Sequence, residues 1–160
     1  MRHLIVAGLL AAATPGLAEE AWLQIDYVQH ASGQPMSYWV AAAGPRQLQV
    51  HCSGTEAAPG LMMVLLGGEA TLPAEVEQEQ EFPVTVRLAP SDETRAVMAS
   101  WLGPFDNAVN GGFPSDAAFL DAFEAGGTLT ITGPAGGVLI ETPLTGANWA
   151  RFGFGEVCGV

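Results

Sequence analysis

The chain contains no lysine, and its 5 arginines face 17 aspartates and glutamates. Without Lys there is no Walker P-loop, no Schiff-base chemistry and no Ser–Lys dyad. The net charge of −12 argues against nucleic acid or an anionic membrane surface as partner, because both are bound through clustered Lys or Arg. Cysteine is scarce, with 2 in 160 residues. No apolar run after the first turn-forming residues approaches the ~20 residues of a membrane-spanning helix. Internal repeats and a dividing linker are also missing, so the length suits one domain with one core. What is abundant is Gly (20), Pro (11) and hydrophobic side chains (49%), which is too apolar for a disordered chain.

Residues 1–18 read as a separate object. Met1-Arg2-His3 is a short basic start, Leu4 to Ala13 is apolar apart from Gly8, and Thr14-Pro15-Gly16 breaks any helix. Gly16 and Ala18 put small residues three and one positions before a cut, the pattern of a secretory signal peptide. The expectation is a signal peptide at 1–18 and a single exported domain at 19–160, periplasmic or secreted and not inserted in the membrane after cleavage. That domain carries all 17 acids and four Arg, hence −13. In an exported chain the two cysteines, Cys52 and Cys158, are expected to pair. A metal site would need more ligands than His51 beside Cys52 provides.

The remainder reads as short alternating segments between Gly and Pro. Leu48, Val50 and Cys52 alternate with polar residues, as do Phe82, Val84, Val86 and Leu88, which is the period of half-buried strands. Leu23, Ile25 and Tyr27 suggest a first strand. Tyr38 to Ala42 and Leu61 to Leu66 are uniform apolar runs, read as more deeply buried strands. Thr128 to Thr132 and Val138 to Thr142 flank Gly133-Pro134-Ala135-Gly136-Gly137, a hairpin signal. Phe119, Leu120 and Phe123 form one helical stripe, with Ser115 as expected N-cap, Asp116 at the positive end of the dipole and Gly126-Gly127 as the stop. A weaker helical or turn segment is read at Glu93 to Leu102. The expected fold is mainly β: an antiparallel β-sandwich or flattened barrel with one short helix near residues 115–125.

Chemistry-bearing patterns are few. Glu75, Glu77, Glu79 and Glu81 recur at every second residue and form an acidic patch, suited to a cation or a basic partner but more simply to water and to the protection of a strand edge. Asp106, Asn107 and Asn110 begin like a calcium loop, but Ala108 and Ala117 stand where that loop needs ligands. The segment is read as a surface loop and a place for recognition. His30 and His51 are the imidazoles of the exported part, and no G-x-S-x-G elbow accompanies them. His51 alternates with the apolar face of its strand and is read as solvent-side. Four tryptophans could build a sugar-binding platform; Trp39 is expected in the core, while Trp22 and Trp149 stay open. Arg151 is read as holding a structural pair. No catalytic, cofactor or metal residue is assigned.

The order Phe119-Leu120, Gly126-Gly127, Leu129 and Ile131, Gly136-Gly137, then Leu144-Thr145-Gly146 to Ala150-Arg151, together with Cys52 and Cys158, resembles the invasion-associated locus B family of small secreted bacterial β-rich proteins. The same helix–hairpin–glycine ending is similar to small exported proteins associated with type VI secretion. The resemblance implies an exported non-enzymatic protein and carries over no catalytic residue. The expectation is an accessory or protein-binding domain of the bacterial envelope, with a protein as partner. The alternative is a small hydrolase or carbohydrate-binding module that uses a loop pocket.

Overall fold

Side-chain alternation becomes strand pairing in a computed structural model that describes residues 22–24, 36–53, 60–67, 72, 76, 80–103 and 107–159. The elements are β1 (Trp22–Gln24), β2 (Met36–Ala43), β3 (Arg46–Ser53), β4 (Leu61–Leu65), β5 (Glu81–Ala89), β6 (Thr94–Trp101), β7 (Ala108–Gly112), α1 (Ala117–Glu124), β8 (Thr128–Thr132), β9 (Val138–Pro143) and α2 (Ala147–Cys158). All strand pairs are antiparallel, in the order β1-β2-β3-β4-β7-β6-β5-β8-β9. The sheet curls until β9 approaches β2 and β3, giving the expected mainly β architecture as a nearly closed, flattened barrel.

Single hydrogen bonds, from backbone and side chains, bridge the seam where the described residues form no strand ladder. The Trp22 backbone N–H donates to the Thr145 carbonyl at 3.2 Å, and its indole Nε1–H donates to the Pro143 carbonyl at 3.0 Å. From the start of β3, Arg46 Nη1 donates to the carbonyls of Val138 and Leu139 at 2.7 and 2.6 Å. A sheet edge is a row of unpaired backbone groups that invites further strands. These contacts occupy part of that row.

One apolar interior follows from the period-2 pattern. Leu48 and Val50 of β3, Met62 and Val64 of β4, Val84, Val86 and Leu88 of β5, and Leu129 and Ile131 of β8 are all buried. Both helices add to the same core, α1 through Phe119, Leu120 and Phe123 and α2 through Ala147, Ala150 and Phe154. Phe113 joins them, with ring centroids 5.7, 5.6 and 6.4 Å from Phe119, Phe123 and Phe154. Trp22 meets Phe123 edge-on at 5.0 Å. Such edge-to-face contacts add to the area that the rings bury.

Four local expectations are corrected. The segment Glu93 to Leu102 is not helical: Thr94–Trp101 is β6, paired along β5 from Arg87↔Thr94 to Glu81↔Ser100. Its helix-favouring Ala and Met residues yield to the pairing and to burial of Ala99. The N-cap of α1 is Asp116, not Ser115; its carboxylate accepts from the Phe119 N–H at 3.1 Å. The same carboxylate takes two hydrogen bonds from Arg95, which also reaches Glu93 and lies over the Phe119 ring. The Leu61 run is not uniformly buried, because β4 alternates and Leu61 is 45% exposed. In β2, Trp39, Val40 and Ala41 are buried as expected, but Ala42 at the end of the run is exposed. Finally, among the described residues there are two helices where one was expected, the second being α2.

Cys52 and Cys158 form the expected disulfide, with Cα atoms 6.2 Å apart. It ties the end of α2 to β3 across a sequence separation of 106. In the chain-entropy picture a loop of that length contributes about 4–5 kcal/mol by restricting the unfolded chain. Reduction, or Cys52→Ser with Cys158→Ser, is therefore expected to lower unfolding stability by about 4–5 kcal/mol. Urea midpoints of the oxidised and reduced protein check this, and coincident midpoints would refute it.

Candidate functional site: an aromatic groove between β2 and α2

Helix α2 has little local reason to form. Its sequence ANWARFGFGEVC holds two interior glycines, each costing about 1 kcal/mol relative to Ala. Its N-cap is Gly146, with φ 89° and no side-chain cap. What sustains it is packing: Ala147, Ala150 and Phe154 recur at i, i+3 and i+7 and are buried. The disulfide holds its last residue.

Gly153 sets how closely α2 lies on the sheet. A Cβ placed there would sit 2.8 Å from Ser37 Oγ and 3.0 Å from Trp39 Nε1. Those two β2 side chains are themselves joined, the buried Trp39 indole donating to Ser37 Oγ at 2.9 Å. Glycine thus lets the helix approach an inward-facing tryptophan with no side chain between them.

The opposite edge of α2 is unlike the usual polar outer face of a helix. Trp149 is 55% exposed and Phe152 63% exposed. Trp149, Phe152 and Glu156 fall at i, i+3 and i+7, so they form one stripe, with Gly153 flanking it on the side toward β2. Between this stripe and β2 lies a half-open groove of about 310 Å³, lined by Ser37, Trp39, Trp149, Phe152, Glu156 and Val157 beside Gly153. That volume falls at the lower end of the range for ligand sites, roughly 300–1,000 Å³. A second hollow, beside the disulfide and lined by Phe113 and Phe154, is only about 10 Å³, roughly one water.

Of the residues singled out in the sequence, Trp39 and Trp149 line this groove. Asp106, His30, Glu75, Glu77, Glu79 and residues 1–18 lie outside the described residues. Glu81 opens β5 opposite Ser100 with its side chain exposed, and Val76 packs partly against the core. Asn107 has a positive φ of 44°, a conformation that Asn tolerates, and its backbone bridges Gly103 and Leu66. Asn110 corrects the loop reading: it sits within β7, opposite Met63 of β4 and Ser100 of β6. Trp39 is in the core as expected, and Trp22 is buried as well. The exposed pair Trp149 and Phe152 was legible only as spacing on a helix that the sequence did not announce.

His51 is half-buried on β3, not simply solvent-side, and neither hollow counts it among its lining residues. Burial pushes its pKa below the ordinary imidazole value. Arg95 holds the Asp116 carboxyl below the usual carboxylate range. Among the described residues no group of three or more His, Cys, Asp or Glu could hold a metal ion. No protein-family model matches the chain, nor does any curated protein or solved structure.

Two outcomes follow. Gly153→Ala should gain about 1 kcal/mol in helix propensity yet lose more to overpacking, typically ~1–3 kcal/mol. The expected net result is a lower melting temperature; a higher one would show that α2 does not need the close approach. For His51, the unfolded chain takes up its proton near pH 6.5 and the folded chain only at lower pH, so its contribution is complete above about pH 7 and is lost on acidification. Melting temperature should therefore fall as pH drops from about 7 to 5, and His51→Gln should flatten that limb. An unchanged slope in the variant would assign the dependence to other groups.

Proposed function

We propose that the chain is an exported, non-enzymatic protein-binding domain of the bacterial envelope that docks its partner on the outer stripe of α2. The carrying observation is the pair of large exposed aromatics, Trp149 and Phe152, beside a groove on a helix pinned by a disulfide. Exposed aromatic anchors next to a pocket are the usual centre of a protein interface. A rigid platform also limits the ordering cost of association. The signal-peptide pattern of residues 1–18 supports export, and a disulfide is compatible with an extracytoplasmic setting. Among the described residues no helix is long and apolar enough to cross a membrane. The resemblance of the Phe119–Arg151 order to the invasion-associated locus B family points the same way.

A second reading rests on Trp149 beside Glu156. An exposed indole can stack on a sugar ring and a carboxylate can accept its hydroxyls, as in a carbohydrate-binding module.

Site-specific photo-crosslinking in the native envelope separates these readings. A photoreactive residue at position 152 should give one discrete protein adduct, and the same residue at exposed Glu124 should not. Trp149→Ser should reduce the adduct at least tenfold, as expected for removal of an anchor. Equal adducts at both positions, or none at 152, would overturn protein docking on α2. A glycan adduct at 152 would favour the second reading.

A further inference from the structure

We infer that the β2–α2 groove receives a basic side chain, an arginine or lysine flanked by apolar residues, from the docked protein. This names the partner chemistry of the site proposed above and rests on that reading.

Among the described residues lining the groove, Glu156 is the ionisable one, set among Trp39, Trp149, Phe152 and Val157. It lies in the last turn of α2, which ends at Cys158 and has no basic residue there. The helix dipole puts partial negative charge at this end, so a carboxylate here is placed against the local field. An approaching cation relieves both charges at once. None of the ion pairs among the described residues involves Glu156. On α2 itself the one cation, Arg151, lies about 200° around the helix from Trp149 and faces away from the groove.

The aromatic surroundings select the same ligand. Indole and phenyl faces attract a guanidinium or ammonium through the ring quadrupole, and the methylene stem of Arg or Lys covers apolar wall. An anionic group would meet Glu156, the helix end and a chain of net charge −12. A purely apolar plug would strip water from the Glu156 carboxylate and return no partner.

The test uses the disulfide-bonded protein and soluble pentapeptides, acetyl-Ala-Leu-X-Leu-Ala-amide, with X as Arg, Lys, Gln or Glu. Binding is read by calorimetry and by the NMR signals of the indole N–H groups. The Arg and Lys peptides should bind about tenfold more tightly than the Gln peptide, with the Glu peptide weakest. Glu156→Gln, at an exposed position that tolerates the change, should cut the Arg-over-Gln preference to about twofold. Trp149→Ser should weaken the Arg peptide by about tenfold. Equal affinity for Arg and Gln peptides overturns the basic-residue inference while leaving protein docking on α2 intact. Failure of every peptide, with saturable binding of a neutral oligosaccharide such as cellohexaose, overturns both.

Discussion

Among the described residues the sheet curls round its core without closing by strand pairing, and the way its two edges are held governs the rest of the molecule. Trp22 reaches from β1 to the carbonyl of Pro143 at the end of β9. Arg46 reaches from β3 to two consecutive β9 carbonyls. Both use side-chain donors where a ladder would use backbone N–H groups. Trp22 also buries its ring against Phe123 of α1, so the contact that holds the seam also packs the first helix. Closure, core and helix docking are thus one arrangement.

Helix α2 completes that arrangement at the C-terminal end. Its inner residues join the Phe113 cluster, its Gly153 lies against Trp39 and Ser37, and its last residue is bonded to β3. A helix held at so many points on one side shows a fixed opposite side. In most helices of small domains that side is polar. Here it carries Trp149 and Phe152 in the open, where their hydration costs free energy that docking would recover. The same rigidity places Glu156 beside the aromatic wall at the negative end of the helix.

The parts legible in the sequence are those set by local chemistry. Alternation at Leu48–Cys52 and at Phe82–Leu88 gave strands because the buried face of a pleated strand must be apolar at every second residue. The glycine-rich stretch from Gly133 to Gly137 turned the β8–β9 hairpin, closed by the Gly133 N–H on the Gly137 carbonyl. The stripe of Phe119, Leu120 and Phe123 packed as its spacing required. Illegible were β6, whose residues suit a helix until β5 offers a partner, and Asn110, whose polar neighbourhood suggested a loop. The groove was hidden for the same kind of reason. Ser37 and Trp39 stand more than a hundred residues before α2, and no local spacing relates them.

By itself the sequence determined the antiparallel strand pattern, the first helix and the pairing of Cys52 with Cys158. Each of these depends on side-chain period, turn chemistry or the presence of a single possible thiol partner. Tertiary structure alone decided that Ala147–Cys158 is a helix and which of its faces is left uncovered. Two glycines and no side-chain cap leave that segment without enough local stability to form. Its burial against β2, β3 and Phe113 offsets the deficit, and the same burial turns Trp149 and Phe152 outward.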